Sequence, residues 1–349
     1  MNSIIAPSFL PASAVLELTY ACNNSCLFCS CPWEYAASGY EKHKELSLEE
    51  WKTCIKSLID MGVCNISYTG GEPFMNKNLR SIIEFTSSLK ARHINGNLEI
   101  EEKAPNQFLI SNGQLLTGET LLFLKEHKVN LSISLPGLKT YNEHTKNGDY
   151  RKVMELFSQS KEIGLSTTVN ITVTKKNLFE LYETLSNALI AGAGTLILNR
   201  FMPGGRGMTH ANELLLDKSD TISMLQIADE VLTKAGRFGS TGTEIPICLL
   251  KNLKFTNLRV GTRCSAAIEF FVIGPDGWVR TCNHSAKQLT HFTNIESLPQ
   301  NDYWKLFTQK SYLPSMCNDC SLTGKCDGGC REAAYMVNGR IDGPDPIFN

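Results

Sequence analysis

Three cysteines near the start of the chain have the spacing of a metal-binding loop. Cys22, Cys26 and Cys29 follow the pattern C-x3-C-x2-C within the stretch A-C-N-N-S-C-L-F-C-S-C-P-W. Three thiolates this close together can bind three irons of a four-iron cluster, in which full cysteine ligation would use four. The fourth iron would then be open to a substrate. On spacing alone, a zinc site or a group of reduced thiols explains the pattern equally well.

A second and larger set of cysteines lies toward the C-terminus. It begins with Cys264, Gly277 and Cys282, and it continues as C-x2-C-x5-C-x3-C at Cys317, Cys320, Cys326 and Cys330. Cys248 precedes the set. Such a density of thiols predicts a region that is held together by metal rather than by a large apolar core.

Bulk properties narrow the class of protein. A chain of 349 residues is longer than a domain with one ordinary hydrophobic core, which favours two domains. The net charge of -1 gives no overall field for nucleic acid or an anionic membrane, so neither partner is expected. The N-terminus lacks the pattern of a signal peptide, and no run reaches the roughly 18 apolar residues that span a bilayer. We therefore expect a cytoplasmic protein, whose 13 cysteines serve metal or redox chemistry rather than disulfides.

The elements that must position these thiols alternate along the first two thirds of the chain. Strands are predicted at residues 15–20, 65–68, 108–111, 129–135, 166–174 and 195–201, and helices follow them at about 47–62, 78–92, 117–127, 150–163, 178–191 and 218–235. Such alternation implies right-handed crossovers and a parallel sheet. Six units are fewer than a complete eight-fold barrel needs. The predicted fold class is therefore α/β, a partial (β/α)6 TIM-like barrel, with a doubly wound sheet as the alternative.

Five loops of distinctive sequence fall at the carboxyl ends of these predicted strands. They are the cysteine loop, T-G-G-E-P, S-N-G, S-L-P-G and M-P-G-G-R-G. Because the carboxyl ends of parallel strands share one rim, we expect the loops to converge there on one site.

The pattern of elements changes after about residue 235. Residues 267–273 and 278–281 flank a Pro-Asp-Gly turn and predict a hairpin, and short helices are predicted at 303–309 and 331–337. We expect three segments: an N-terminal extension at 1–13, the partial barrel at 14–235, and a cysteine-rich, metal-held domain at 236–349.

The cysteine triad, together with the sequence Gly70-Gly71-Glu72-Pro73 after the next strand, resembles the radical S-adenosylmethionine (radical SAM) enzymes. The resemblance covers the core of that family. It implies that the triad carries a [4Fe–4S] cluster whose open iron is chelated by the amino and carboxylate groups of SAM. Phe28 then matches the position that packs near the adenine.

The same resemblance implies further contacts with SAM. The two glycines would let backbone approach the methionyl end, and Glu72 would accept from its ammonium group. Asn112 and Ser134 match positions that contact the methionyl or ribose part, and Asn170 is a further candidate. Each of these residues also fits a local turn or cap. Arg206 could pair with a carboxylate of cofactor or substrate, or could be an exposed loop charge.

The C-terminal cysteines resemble the SPASM domain, which binds two auxiliary four-iron clusters. The resemblance implies Cys264, Cys282 and Cys330 as ligands of the first cluster, with Cys248 as the fourth. It implies Cys317, Cys320 and Cys326 as ligands of the second. A pair of zinc sites is the alternative.

Here the chain departs from the SPASM pattern, because no cysteine follows Cys330. Phe348 stands about where the last ligand of the second cluster is expected. That cluster could have an open iron, take Asp345 or another oxygen ligand, or be absent. Cys31, Cys54 and Cys64 match no cluster position. No catalytic base is assigned, because no histidine lies in a recognisable motif.

Relatives with a SPASM domain mostly modify ribosomally made peptides, which makes peptide maturation the leading expectation for function. Sulfatase maturation or a step on haem or a quinone is the alternative enzyme, and a zinc-binding protein without catalysis is the alternative class. The expected partners are a peptide or protein substrate and an electron donor such as ferredoxin or flavodoxin. The chain begins close to its first strand, so a separate leader-recognition protein is a further expected partner.

Overall fold

The computed structural model describes residues 9–94, 96, 99–250 and 253–348. Most of the predicted N-terminal extension, at 1–8, lies outside the described residues. The strands are β1 (Ser13–Glu17), β2 (Asn65–Thr69), β3 (Ala91–Ile94), β4 (Ile100–Lys103), β5 (Asn106–Ser111), β6 (Val129–Ser134), β7 (Thr167–Val173), β8 (Thr195–Arg200), β9 (Gly239–Thr241), β10 (Leu258–Arg259), β11 (Phe270–Ile273), β12 (Trp278–Arg280) and β13 (Thr290–His291).

Within the described residues, eleven of these strands form one sheet in the order β10-β9-β8-β7-β6-β5-β2-β1-β11-β12-β13. All neighbours from β10 to β11 pair in parallel, as strands joined by helices should. From β10 to β1, neighbours in the sheet follow the order of the chain, apart from the separate pair β3 and β4, and this is the arrangement of a barrel wall rather than of a doubly wound sheet. The predicted α/β class with a parallel sheet is confirmed.

Helices cover the sheet. They are α1 (Leu48–Asp60), α2 (Leu79–Ser88), α3 (Gly118–Glu126), α4 (Tyr141–Thr145), α5 (Tyr150–Ile163), α6 (Leu181–Ala191), α7 (Ala211–Leu214), α8 (Lys218–Ala235), α9 (Asp302–Thr308) and α10 (Arg331–Asn338). The capping box at Ser47 is formed, since its hydroxyl accepts from Glu50 N while Glu50 accepts from Ser47 N. Asp217 caps α8 in the same way. The apolar face of α1, including Trp51 and Ile55, is buried in the core.

The C-terminal part of the chain is joined to the barrel through the sheet itself. The predicted hairpin is confirmed as β11 and β12, and β11 pairs in parallel with β1. A buried ion pair reinforces the junction, because Arg280 on β12 donates to Glu17 on β1. Asn283 Nδ2 donates to the other oxygen of Glu17 at 3.2 Å. The barrel and the cysteine-rich region therefore share one continuous sheet.

One predicted helix is too long. Helix α2 ends at Ser88 rather than near Arg92, and the polar stretch after it contains the antiparallel pair β3 and β4. Side chains along β3 alternate between buried and exposed, which is the period of a strand and not of a helix. No helix in the described part of the chain is long and apolar enough to cross a membrane.

Candidate active site

The loop after β1 carries Cys22, Cys26 and Cys29, here called the strand-end thiols. The loop after β2 makes the first set of contacts that hold it in place. Gly71 N donates to Thr19 O at 2.8 Å, and Glu72 N donates to Ala21 O at 2.8 Å. A Cβ atom on Gly71 would lie 2.2 Å from Ala21 O. The crowding at both glycines of G-G-E-P comes from the chain entering the cysteine loop. Both glycines therefore make room for protein backbone, and their contact with the methionyl end of SAM stays a prediction.

The loop after β8 fastens the opposite side of the strand-end thiols. Gly207 N donates to Cys29 O at 3.0 Å, and a Cβ on Gly205 would lie 2.4 Å from Cys31 O. Arg206 between them donates to Cys26 O at 3.2 Å and forms an ion pair with Glu34. Arg206 is therefore committed to the protein's own loop, which corrects both the expected pairing with cofactor or substrate and the exposed alternative.

A third contact comes from α4. Ser25 N donates to Thr145 O at 3.1 Å, and Leu27 N donates to His144 O at 2.8 Å. His144 is fully buried, and its ring nitrogens lie 3.0 Å from Thr140 O and 2.9 Å from Thr174 Oγ1. Phe28 packs on this ring with 5.9 Å between centroids. His144 thus lies in a short helix and positions Phe28.

The strand ends enclose a cavity of about 600 Å³, which is the size of a small-molecule site. Its wall brings together most of the predicted residues and several that sequence reasoning missed. The predicted residues in the wall are Cys22, Cys26, Phe28, Cys29, Gly70, Gly71, Glu72, Asn112, Ser134, Asn170, Cys264, Cys282 and Cys330; the unexpected ones include Asn24, Tyr141, Asn199, Arg200, Glu244, His284 and Glu332. Thus one cavity extends from the strand-end thiols to three of the C-terminal cysteines.

Glu72 links two strand ends within the cavity. It is buried, and its carboxylate accepts from Ser111 Oγ at 2.8 Å, Asn112 N at 2.8 Å and Phe74 N at 3.3 Å. Burial raises the pKa of Glu72 to about 7, although these hydrogen bonds act in the opposite direction. A carboxyl group with this pKa is poised to become fully charged when a cationic or N–H-donating group binds. Pro73 begins the short turn after it.

The amide and hydroxyl candidates lie on neighbouring strand ends. Asn112 Nδ2 donates to Asn23 Oδ1 at 2.8 Å, which ties the loop after β5 to the cysteine loop. Ser134 and Asn170 are register partners on β6 and β7, and Asn170 Oδ1 accepts from Asn199 Nδ2 at 2.8 Å. Asn199 could have been proposed from its place near the end of the next predicted strand.

The strand-end thiols share one pocket of low polarity. Burial raises the pKa of Cys22 and of Cys26, and their neighbouring thiols raise both further. The pKa of Cys29 is lowered, chiefly because the Cys31 thiol donates to it. Cys54 is fully buried in α1 and Cys64 lies before β2, so both are away from the site as expected.

The structure supports a polar cofactor here through Asn24. This side chain is only 4% exposed and lines the cavity beside Cys22, yet neither Asn24 Oδ1 nor Asn24 Nδ2 has a hydrogen-bond partner. Buried amides without partners are rare, and a bound group with polar atoms would satisfy them. Within the described residues, however, no group of three or more His, Cys, Asp or Glu side chains is arranged to hold a single metal ion. The ligand roles of the cysteines stay predictions.

Cys264, Cys282 and Cys330, here called the inner thiols, form the far wall of the cavity and are buried. Cys264 N donates to Asp327 Oδ2 at 2.7 Å, and Cys330 N donates to Asp345 Oδ2 at 2.7 Å. Burial raises the pKa of all three thiols. Buried carboxylates therefore fix the backbone at two of the three positions.

Asp345 is not available as an oxygen ligand. It is fully buried, and both of its oxygens accept from Arg200, at 3.0 Å and 2.5 Å. Ile347 N donates to Asp345 Oδ1 at 2.9 Å, in addition to the bond from Cys330 N. Phe348 lies on the same turn and packs against Lys218 Nζ, 5.3 Å from the ring centroid. The alternative that Asp345 replaces the missing cysteine is therefore wrong.

Cys317, Cys320 and Cys326, here called the outer thiols, lie on the turns that precede α10 and do not line the cavity. Cys320 N donates to Cys317 O at 3.1 Å. Cys248 is exposed on the turn Ile247–Leu249, and Ile247 N donates to Cys326 Sγ at 3.4 Å. Cys248 thus lies beside the outer thiols, although it was predicted to join the inner ones.

Comparison with known families agrees with this geometry. Residues 16–187 match the family model described as the radical SAM superfamily. This part of the chain is a radical SAM domain. Radical SAM domains use one [4Fe–4S] cluster and SAM, and the chain carries such a domain over residues 16–187. The three-cysteine loop and the unsatisfied polar atoms of Asn24 fit these groups.

Similar proteins extend the likeness beyond the radical SAM domain. The chain is 24% identical to a PqqA peptide cyclase of Bradyrhizobium diazoefficiens over 97% of this chain and 86% of the relative. It is 27% identical to SkfB, a sporulation killing factor maturation protein of Bacillus subtilis, over 62% of this chain and 49% of that protein. Streptococcus suis SuiB bound to S-adenosylmethionine has a TM-score of 0.73 at 17% identity, over 97% of this chain and 77% of that one. At this identity, the structural likeness establishes the fold.

Proposed function

We propose that this radical SAM enzyme modifies a ribosomally synthesised peptide, by forming a crosslink or oxidising a side chain. The observation that carries the proposal is the single cavity whose wall includes the strand-end thiols at one side and the inner thiols at the other. A substrate held between them would meet both groups. Relatives support the substrate class, since they include a PqqA peptide cyclase and SkfB, and SuiB has been solved with its precursor peptide SuiA.

When bound and reduced, the cluster and SAM supply a 5′-deoxyadenosyl radical that abstracts a hydrogen atom from the substrate. The chain's own part is to hold and orient these groups. Cys22, Cys26 and Cys29 are the proposed ligands of the SAM-binding cluster. Glu72 accepts from the amino group of SAM, and its bonds to Ser111 and Asn112 N hold the carboxylate in place.

The remaining wall residues position the nucleoside part. Phe28, held by His144, packs near the adenine, and Asn112, Ser134 and Asn170 hydrogen-bond the methionyl or ribose groups. The surrounding buried strands keep water away from a reactive radical. Gly70 and Gly71 let the loop that carries the cluster pack closely, and with Pro73 they are the proposed contacts of the methionyl end of SAM.

We assign the inner and outer thiols to auxiliary [4Fe–4S] clusters that accept or relay an electron, or bind substrate. A ferredoxin or flavodoxin is the proposed electron donor. A separate leader-recognition protein is proposed to present the peptide.

The test is to incubate anaerobically reconstituted protein with SAM, a reductant and the peptide encoded beside its gene. We expect 5′-deoxyadenosine together with a change in peptide mass. An unchanged peptide, despite cleavage of SAM, would contradict the substrate class. Metal analysis of the same preparation separates the alternative class, because zinc without sulfide would indicate a protein without radical chemistry, whereas about four irons or more would support the enzyme.

A further inference from the structure

The position of Cys248 does not match the role that the sequence predicts for it. Cys248 sits on the turn Ile247–Leu249, directly after a residue whose N–H points at Cys326 Sγ from 3.4 Å. Gly328 N donates to the same sulfur, also at 3.4 Å. Backbone N–H groups on two sides therefore surround the Cys326 sulfur, and one of them comes from the turn that carries Cys248.

Backbone contacts hold the outer thiols together on one set of turns. Cys317 N donates to Pro314 O at 2.7 Å, and Cys320 N donates to Cys317 O at 3.1 Å. A Cβ on Gly328 would also lie 3.5 Å from Cys317 Sγ, so the turn after Cys326 closes over the same group.

The inner thiols form a separate neighbourhood. All three inner thiols line the cavity, whereas Cys248 and the outer thiols do not. Cys248 therefore lies on the side of the outer group.

We propose that Cys248 is the fourth ligand of the outer group, with Cys317, Cys320 and Cys326, and thus takes the place that Phe348 leaves without a thiol. The inner group then has three cysteine ligands. This inference rests on the proposed function only for the identity of the metal group, since the pairing of cysteines follows from their positions.

The tail of the chain explains why a ligand from another segment is needed. Phe348 N donates to Asp345 O at 2.9 Å, and its ring is held against Lys218 on α8. Asp345 is committed to Arg200. Asp345 can therefore turn toward the outer thiols only by breaking a buried ion pair, and Phe348 only by leaving its contact with Lys218.

The pairing can be tested by metal content in a full-length Cys26→Ala background, in which only the C-terminal groups load. We expect Cys248→Ala and Cys317→Ala each to lower iron and acid-labile sulfide by about one four-iron cluster. The double variant with both changes should lose no more than either alone, because both ligands belong to one group. Combining Cys248→Ala with Cys264→Ala should instead lose about two clusters.

The opposite pattern would overturn the proposal. In that pattern, Cys248→Ala causes no further loss of metal when it is combined with Cys264→Ala, but does cause a further loss when it is combined with Cys317→Ala. A Cys248→Ala variant with unchanged metal would overturn it as well. Cys64→Ala is the matched control, because Cys64 is a partly buried thiol away from all three groups, and it should keep its full metal content. If the protein takes up zinc and no sulfide, the proposed function fails. The pairing of Cys248 with the outer thiols is then tested by measuring the zinc content of the same variants.

A second measurement guards against variants that fail to fold. Metal-loaded Cys317→Ala protein in the Cys26→Ala background is treated with iodoacetamide, which alkylates thiols that bind no metal and releases iodide. Peptide mapping should find Cys248 alkylated while Cys264, Cys282 and Cys330 stay protected, which also shows that the inner group is still folded around its metal. A Cys248 that stays protected in this variant would contradict the proposal.

Discussion

The strand-end thiols and the inner thiols face the same cavity, but the chain holds them by different physical means. The loop of Cys22, Cys26 and Cys29 is held by backbone hydrogen bonds from three neighbouring loops, two of which need glycine for their close approach. The backbone at Cys264 and Cys330 is held by the buried carboxylates Asp327 and Asp345. The strand-end side depends mainly on backbone hydrogen bonds and close approach at glycines, with the Arg206–Glu34 ion pair beside them, whereas the other side depends mainly on buried charge.

The difference follows from what each region has available. The strand-end loop lies on the rim of a parallel sheet, where the carboxyl ends of several strands supply backbone groups at fixed positions. The inner thiols lie where the strands are short and the chain turns irregularly, so few regular hydrogen bonds reach them. Buried ion pairs such as Arg200–Asp345 replace the missing regular structure. Buried pairs fix a geometry well but are costly to break.

The largest expected effect is on the cleavage of SAM, which should depend on the strand-end thiols. Cys26→Ala should lower formation of 5′-deoxyadenosine by about a hundredfold or more, because even residues behind a metal ligand cost 10- to 100-fold when removed. The control Cys54→Ala, in a fully buried residue of α1, should keep the activity per loaded cluster. Quantifying 5′-deoxyadenosine by liquid chromatography checks both variants. Equal activity in wild type and Cys26→Ala would show that the strand-end thiols do not hold the SAM-binding cluster.

The next effect tests the buried ion pair that holds the backbone beside the inner thiols. Asp345→Ala leaves the Arg200 guanidinium buried without its partner and should lower the free energy of unfolding by about 3–5 kcal/mol. Asp342→Ala removes an exposed partner of Arg340 nearby and should leave stability unchanged. Denaturant unfolding measures both. A small loss at Asp345 would mean that charge does not hold this region.

A smaller effect tests the close approach of backbone that holds the loop of the strand-end thiols. Gly71→Ala puts a Cβ within 2.2 Å of Ala21 O, so the two loops must move apart, with a loss of about 1–3 kcal/mol in stability and weaker loading of the strand-end cluster. Gly118→Ala, at the first position of α3 with no atom within 4 Å of the added Cβ, is the control and should be neutral or slightly stabilising. Unfolding and iron content are measured in parallel. If Gly71→Ala binds iron and SAM as the wild type does, close approach of the loops is not needed.

The smallest effect concerns pH. Because Glu72 has a pKa of about 7, it is mostly protonated at pH 6 and mostly ionised at pH 8. N–H donors of SAM favour the ionised form, so binding must release a proton at low pH, and affinity for SAM should rise about tenfold between these values. Glu72→Gln should remove the rise and leave only the titration of SAM itself. Equilibrium dialysis on loaded protein checks this, and an identical pH profile in both proteins would assign no role to the Glu72 charge.

How much could be predicted from the sequence depended on the range of the interactions involved. The six strand–helix units were predicted correctly because apolar periodicity and capping residues are local signals, as at Ser47. Helix α2 was predicted too long because its end is set by pairing between β3 and β4. The ion pairs of Arg206 and Asp345 could not be predicted, since their partners lie 172 and 145 positions away. Asn24 carried a usable signal, because it lies inside the cysteine triad itself.

The proposed function requires that the strand-end thiols hold a cluster whose open iron binds SAM inside the shared cavity. Electron–nuclear double resonance on the reduced protein with SAM labelled by ¹⁵N at its amino group tests this most directly. We expect a ¹⁵N coupling in wild type and in the Cys264→Ala/Cys317→Ala double variant, and none in Cys26→Ala. A ¹⁵N coupling that persists in Cys26→Ala, or that is lost in the double variant while the strand-end cluster remains loaded, would contradict the claim.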